Sequence, residues 1–210
     1  MVSRIHLTLL IGIAAGIWAT LLYFSGISVP LDYIRPLPTV IGILTILFLI
    51  FDRWLWKLSF FYPWFVSMPN LSGAWKGQII STWIDKKTGQ QISPIDAVLI
   101  IYQTYSSLNL RMITKESKSD LLSGNFIQNN VGPQKIAGIY NNIPNILVRE
   151  RSPIHYGGLL LEIHKGKNTI LEGEYWTDRD TKGVLKFEKH LEKKFDSFDS
   201  ACAAFQKRCN

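Results

Sequence analysis

Apolar residues are distributed along this chain in two different ways. The stretch Ile5–Ile27 carries no charge, and Leu37–Phe51 is a second uncharged apolar run. From Asn70 onward the chain changes to short segments in which apolar and polar residues alternate. About 20 apolar residues in a helix span the core of a bilayer, whereas alternation with a period of two is typical of half-buried strands. The pattern therefore predicts a membrane-anchoring part followed by an all-β part.

The membrane part, residues 1–66, is predicted to be a helical hairpin. Its spans are residues 5–27 and 37–56, because the second apolar run reaches full length only when it continues to the interfacial residue Trp56. Cations flank both outer ends of the hairpin, which predicts that both termini are cytoplasmic. A cleaved signal peptide at residues 1–27 is the competing interpretation, although the apolar region of a signal peptide is usually shorter.

Small residues recur every four positions along the first predicted span. These residues, which share one helix face, are Thr8, Gly12, Gly16 and Thr20. The two glycines form a GxxxG pair, which allows helix backbones to approach closely in lipid. One interpretation is packing against the second span of the same chain, around Gly42 and Thr45. The other is self-association between chains, which makes this stripe the candidate oligomerisation surface.

Residues 67–210 are predicted to form an eight-stranded antiparallel up-and-down β-barrel. In the segment Ser72–Trp83, alternate residues from Trp75 to Ser81 fall on one face, as in a strand with one wet face. Further alternating segments, separated mostly by turn residues, lie near 96–104, 107–115, 121–129, 134–142, 157–164, 168–177 and 183–190. Short strands without intervening helices are typical of a barrel, whose interior at this size is filled or holds one small ligand. Residues 191–208 have the spacing of a terminal amphipathic helix.

Alternation places Ser81, Tyr140, Tyr175 and Thr177 in the barrel interior, with Asn142 at the end of its strand, while other aromatic residues supply flat rings and the arginines supply planar cations. The candidate ligand-binding residues are Ser81, Trp83, Tyr140, Asn142, Arg149, Tyr175, Thr177 and Arg179. Bases stack on aromatic rings, and the guanidinium fork pairs with phosphates. Each aromatic residue alone is also ordinary in a strand, and Arg179 has a second interpretation, stacking over a ring. Trp75 is the clearest structural residue, since a Trp near the start of the first strand closes one end of lipocalin-like barrels.

The motifs of common enzymes and metal proteins are absent from the sequence. It contains no Gly-rich phosphate loop, no GxSxG, no HExxH and no Cys/His cluster at metal-ligand spacing. An acidic site of Glu174, Asp178 and Asp180 is conceivable, but the two aspartates lie between predicted strands, where a solvated turn is the simpler explanation. We therefore expect no enzyme activity, no cofactor and no metal. The formal charge of +7 suits anionic partners such as lipid headgroups and nucleotides.

Three segments and the order of the parts resemble a known family. The segments are LSGAWKG from Leu71, YNNIP from Tyr140 and LEGEYWTDRDTKG from Leu171. Following two predicted spans, they resemble the two-transmembrane β-barrel effectors of CBASS, the bacterial anti-phage systems built around cyclic-oligonucleotide synthases. The resemblance implies a cytosolic barrel that binds a cyclic dinucleotide, with oligomerisation, disruption of the inner membrane and death of the infected cell as the consequences. The family motif positions, which contact ligand or close the barrel, are Tyr140, Asn142, Pro144, Tyr175, Thr177 and Arg179.

The partners implied by this resemblance are a cyclic dinucleotide, the lipid bilayer of the bacterial inner membrane and further copies of the chain, with no DNA or RNA. Two other classes stay open from the residues alone. A membrane-tethered, lipocalin-like carrier of an apolar ligand needs few cations at its cavity. A structural accessory membrane protein has a barrel that is packed shut.

Overall fold

The computed structural model describes residues 37–62, 65–84, 88–127 and 132–207, together with nine separate positions between Thr8 and Phe24. Two compact units make up the chain. The first comprises residues 1–67 with 104–106, and the second comprises residues 68–103 with 107–210. The described part of the first unit is mainly helical, whereas the second unit is mainly β.

Helices make up the described part of the first unit. Helix α1 (Leu37–Arg53) is followed by two short 3-10 turns, Leu55–Lys57 and Ser59–Phe61. Within the part of the chain that the structure describes, no helix is both long enough and apolar enough to cross a membrane. Most of the predicted span 5–27 lies outside the described residues, so the membrane hairpin stays a prediction.

Asp52, near the end of α1, is fully buried. Its Oδ1 accepts hydrogen bonds from the backbone N–H of Ser106 at 2.8 Å and from the Thr104 hydroxyl at 3.3 Å. The Tyr105 N–H donates to the Asp52 carbonyl at 3.0 Å, and the Tyr105 ring meets Phe51 edge to face. Because a buried carboxylate is tolerated only when it is hydrogen-bonded, these contacts explain the burial of Asp52.

The small-residue stripe is helical and exposed at all four of its positions, Thr8, Gly12, Gly16 and Thr20. The Thr20 hydroxyl donates to the Gly16 carbonyl at 2.8 Å, so it is satisfied within its own helix. A Cβ added at Gly12, Gly16 or Gly42 would have no described atom within 4 Å. The described residues therefore show no close packing of this stripe around Gly42, and its role in self-association stays a prediction.

The second unit is a closed barrel in which each strand pairs with the next and β8 pairs with β1. All eight ladders are antiparallel, which confirms the predicted barrel. The strands are β1 Gly73–Ser81, β2 Ile95–Gln103, β3 Leu108–Thr114, β4 Ser117–Ile127, β5 Gln134–Pro144, β6 His155–His164, β7 Ile170–Thr177 and β8 Lys182–Leu191.

The ladders differ in length around the barrel. The β3–β4 ladder pairs only three residues, from Arg111 to Ile113, whereas the other ladders pair between six and ten. A bulge between Leu121 and Ser123 bends β4 while it pairs with β5. The β3–β4 ladder is therefore the seam with the fewest backbone pairs.

Trp75 closes the barrel at the end where the chain enters it, which we call the closed end. Its side chain is 2% exposed within the interior core. The indole N–H donates to the Leu71 carbonyl at 2.8 Å, and the ring stacks on His190 with centroids 4.3 Å apart. A polar atom and a large apolar surface are thus both satisfied in the interior, and the predicted role of Trp75 is confirmed.

The C-terminal helix covers part of the outer barrel surface. Helix α2 (Phe198–Lys207) contributes to a second core in which Phe205 packs with outward-facing residues of β1 and β2 such as Ala74 and Val98. The prediction of a helix from residue 191 is wrong at its start, because β8 continues to Leu191, which pairs with Ala74. Ser197 then caps the helix by accepting the Ser200 N–H at 3.3 Å.

Candidate ligand-binding site

The barrel is open at the end where β1, β3, β5 and β7 finish, which we call the mouth. Four connections surround the mouth, and their described residues are 82–84 with 88–94, 115–116, 145–154 and 178–181. A cavity of about 550 Å³ opens there. This volume lies in the range of pockets that hold small-molecule ligands.

The floor of the cavity is apolar and aromatic. It is formed by Ile79, Met112 and Leu185 together with the side chains of Tyr140 and Tyr175. A second void, further toward the closed end, measures only about 20 Å³. The interior is therefore packed near Trp75 and open near the mouth, because inward side chains fill only one half of the barrel.

Both tyrosines of the floor have a pKa raised by burial, so they stay neutral over an even wider pH range than a free phenol. Burial raises the pKa of Tyr140 well above its usual range, and nearby Tyr175 and Asp178 raise it further. Burial also raises the pKa of Tyr175, while a hydrogen bond with Ser81 acts in the opposite direction. Each phenol is thus a flat, uncharged ring with a hydroxyl that can donate a hydrogen bond throughout the physiological pH range.

A collar of hydroxyl and amide groups lies between the floor and the rim. Ser119 donates to Oδ1 of Asn142 at 3.0 Å, and both side chains are buried. With that oxygen engaged, the amide N–H groups are what Asn142 can offer a ligand. The hydroxyls of Thr177 and Thr181 are 2.6 Å apart. Neutral donors and acceptors of this kind fix the orientation of a bound molecule.

The rim carries cations. Lys115, Arg151 and Arg179 line the cavity, as does the carboxylate of Glu116. The Arg179 Nη1 donates to the Ser152 hydroxyl and to the Pro153 carbonyl, both at 3.3 Å. Arg179 thereby holds the connection 145–154, and its guanidinium lies at the edge of the cavity.

The turn between β7 and β8 confirms the interpretation of its acidic residues. Asp178, Asp180 and Glu174 are exposed. The Asp178 carboxylate accepts the Tyr156 N–H at 3.2 Å, and Asp180 has a left-handed backbone with φ of 57°. Among the residues that the structure describes, no group of three or more His, Cys, Asp or Glu side chains is arranged to hold a metal ion.

Most of the candidate residues from the sequence meet at this one cavity. Those that line it are Ser81, Trp83, Tyr140, Asn142, Tyr175, Thr177 and Arg179. Arg149 is not among the residues that line it, and its Nη2 donates to the Pro144 carbonyl at 3.2 Å. The arginine of the connection 145–154 that does line the cavity, at its rim, is Arg151. Contact of each residue with a ligand stays a prediction.

Several lining residues were not predicted. Ser119 lies in β4 before the predicted start of that strand, and Lys115 and Glu116 form the two-residue turn that precedes it. The predicted strands place this turn at the edge of the barrel, but they do not show which end of the barrel is open. The signal that could have identified these residues is the polar run from Thr114 to Asp120, which contains no apolar residue.

Comparison with known protein families gives a match over most of the barrel. The family model described as Cap15, cyclic dinucleotide receptor domain, matches residues 66–189 of the chain. This range includes all eight strands except the last two residues of β8. Comparison with curated proteins gives no significant match.

Proposed function

The chain belongs to the Cap15 cyclic dinucleotide receptor family, and from this premise we propose that a cyclic dinucleotide binds in the cavity at the mouth of the barrel. Its bases lie on the aromatic floor, and its two phosphodiesters face the arginines of the rim. The observation that carries this assignment is the order of side-chain types from the floor of the cavity to its rim. Aromatic rings, neutral polar groups and cations follow one another from Tyr140 through Asn142 to Arg179.

Each layer matches one part of such a ligand. Base stacking on an aromatic ring contributes about 1–3 kcal/mol per base. Hydroxyl and amide groups of the collar match the edges of the bases and the riboses. Arginine forks bind phosphate oxygens through charge-assisted hydrogen bonds. A ligand with bases at one end and anions at the other therefore fits the cavity in one direction only.

The two alternative classes fit the cavity less well. A carrier of an apolar ligand needs few cations, whereas Lys115, Arg151 and Arg179 all line this cavity. A purely structural barrel is packed throughout, whereas this one holds a cavity of about 550 Å³. The receptor assignment also agrees with a binding role rather than catalysis.

The effector function proposed for the whole chain is membrane disruption in anti-phage defence. Residues 5–27 and 37–56 span the bacterial inner membrane with both termini and the barrel in the cytoplasm. Ligand binding favours an oligomer of barrels, which holds many helical hairpins at high effective concentration. Weak contacts between small-residue helix faces then suffice for association in lipid. The exposed stripe around Gly12 and Gly16 supports this step.

Ligand binding is expected to raise the melting temperature of the full-length protein in detergent. The panel comprises cyclic di-AMP, cyclic di-GMP and cyclic di-UMP, with ATP and oleate as controls. A ligand at 100 times its Kd stabilises the folded state by about 2.7 kcal/mol, which differential scanning fluorimetry detects. A shift with oleate and none with any cyclic dinucleotide would instead support the apolar-ligand carrier.

Substituting the stripe is expected to separate ligand binding from membrane damage. Gly12→Leu with Gly16→Leu fills the open surface with side chains that prevent close helix contact. The double variant should bind ligand as the parent does, yet release little dye from vesicles when ligand is added. Gly42→Leu is the matched control, since that glycine is also exposed and is in α1. If the double variant and the parent insert into the vesicles equally well and release equal amounts of dye, the stripe has no role in membrane damage.

A further inference from the structure

An ion pair at the rim joins two of the connections that surround the mouth. Nη2 of Arg151 donates to Oε1 of Glu116 at 2.6 Å. The side chains are 67% and 56% exposed, respectively, and both line the cavity. Because water screens exposed ion pairs, this one contributes little to the stability of the fold. It is a contact that a stronger anion can replace.

Backbone contacts fix the turn that carries Glu116 and the start of the connection that carries Arg151. The Thr114 hydroxyl accepts the Glu116 N–H at 3.2 Å and the Ser117 N–H at 2.9 Å, which fixes the turn. The Asn145 N–H donates to the Glu116 carbonyl at 2.7 Å, which ties the start of the 145–154 connection to the same turn. These contacts use main-chain atoms of Glu116, so its carboxylate can leave Arg151 without loosening the turn.

The charges of the rim match those of the proposed ligand. Among the described residues that line the cavity, Lys115, Arg151 and Arg179 are cations and Glu116 is the one carboxylate. The formal charge of these four side chains is +2. A cyclic dinucleotide has two phosphodiesters, each with one negative charge, so the rim neutralises it. Without the Glu116 carboxylate the rim would carry one uncompensated cation.

On the proposed function, we infer that Arg151 is a phosphate-binding residue and that Glu116 competes with the ligand for its guanidinium. In the unliganded protein the carboxylate occupies the Arg151 fork. A phosphodiester displaces it, because a bidentate charge-assisted pair is stronger than a single exposed contact. Glu116 then faces the bound anion and repels further negative charge. It is a specificity-determining residue that favours a cyclic dinucleotide over a more highly charged linear one.

The test compares one cyclic ligand with its linear form. A linear dinucleotide with a 5′-phosphate carries about −2.5 to −3 charges at neutral pH, since the terminal phosphate contributes about −1.5 to −2. The probes are the panel member that binds the parent most tightly and the same dinucleotide in its linear, 5′-phosphorylated form. Binding is measured by calorimetry on the full-length protein in detergent, at low and at high salt.

Glu116→Gln should raise affinity for the cyclic probe about threefold and for the linear probe about tenfold, as expected for exposed charges. The preference for the cyclic form then falls about threefold, and high salt should shrink this change. Arg151→Gln should weaken binding of both probes about tenfold. In the Arg151→Gln background the gain from Glu116→Gln should be smaller, because no guanidinium is released.

Glu174→Gln is the matched control, since it removes the same charge from the exposed outer face of β7. It should leave the preference unchanged. Equal preference in the parent and in Glu116→Gln would overturn the inference while the proposed function stands. Additive effects of the Glu116 and Arg151 substitutions would also overturn it. Failure of the parent to bind any member of the panel would overturn both.

Discussion

Replacing Trp75 with Ala is expected to lower the free energy of unfolding of the barrel by about 3–5 kcal/mol, the usual cost of truncating a large aromatic side chain in a core. Trp75 is 2% exposed, donates to the Leu71 carbonyl and stacks on His190. Its removal leaves a cavity at the closed end and a carbonyl without its donor. Thermal and denaturant unfolding of the full-length protein, followed by the circular dichroism of the strands, measures the loss.

Trp176→Ala provides a comparison with identical chemistry. Trp176 lies on the outer face of β7 and is 53% exposed, so its truncation should cost about 1 kcal/mol or less. Because both variants change Trp to Ala, the difference between their losses of unfolding free energy measures the effect of burial alone. Similar losses of unfolding free energy from both variants would show that burial of Trp75 does not stabilise the closed end.

Replacing Arg179 with Ala is expected to weaken cyclic dinucleotide binding by about 1–3 kcal/mol, which corresponds to about 5- to 150-fold in Kd. Two effects act in the same direction. The rim loses a phosphate-binding fork, and the connection 145–154 loses the hydrogen bonds at Ser152 and Pro153. Calorimetric titration of the folded variant with the best-binding panel member measures the change.

Two further variants separate these effects. Arg179→Lys keeps the charge but loses the planar fork, so it should recover only part of the affinity. Arg111→Ala removes an arginine whose Nε contacts Asp120 and which is not among the residues lining the cavity; it should leave binding unchanged. A folded Arg179→Ala variant that binds as tightly as the parent would exclude a role in recognition. Loss of folding would instead assign Arg179 to closing the barrel.

Strand β7, whose outer face carries charged side chains, was predicted well. In β7 the outward residues Glu172 and Glu174 alternate with Leu171 and Gly173, and the predicted strand 168–177 differs from the observed one by two residues at its start. Alternation identifies a strand when one face is wet and the other is apolar. The same rule placed Tyr140 and Tyr175 in the interior, where both lie.

The same rule failed where the inward residues are polar. The predicted fourth strand begins at residue 121, whereas β4 begins at Ser117. The intervening residues contain no apolar side chain, yet Ser119 is buried because it lines the cavity and bonds to Asn142. In a strand that lines a binding site, polar residues replace the apolar inward residues. Such a strand does not show the alternation of apolar and polar residues on which the prediction depends.

The choice between Arg149 and Arg151 could not be made from the sequence. Both follow a 3-10 turn, Ile146–Val148, in a connection without alternation. Side-chain direction in such a segment depends on hydrogen bonds to other connections, here through Pro144 and Glu116. The predicted start of helix α2 was wrong for a related reason. Leu191 has helical spacing with Phe195 and Phe198, but its backbone pairs with Ala74.

The short β3–β4 ladder makes the barrel mechanically uneven around its circumference. A wall held by three residue pairs yields more readily to lateral stress than one held by ten. Ser119, one member of the buried hydrogen-bonded pair of the collar, belongs to this short ladder, where it lies opposite Met112, whereas its partner Asn142 lies on β5. A ligand that presses on Ser119 therefore pushes against the ladder with the fewest backbone pairs, whereas the Asn142 side of the collar is backed by the ten-pair β4–β5 ladder.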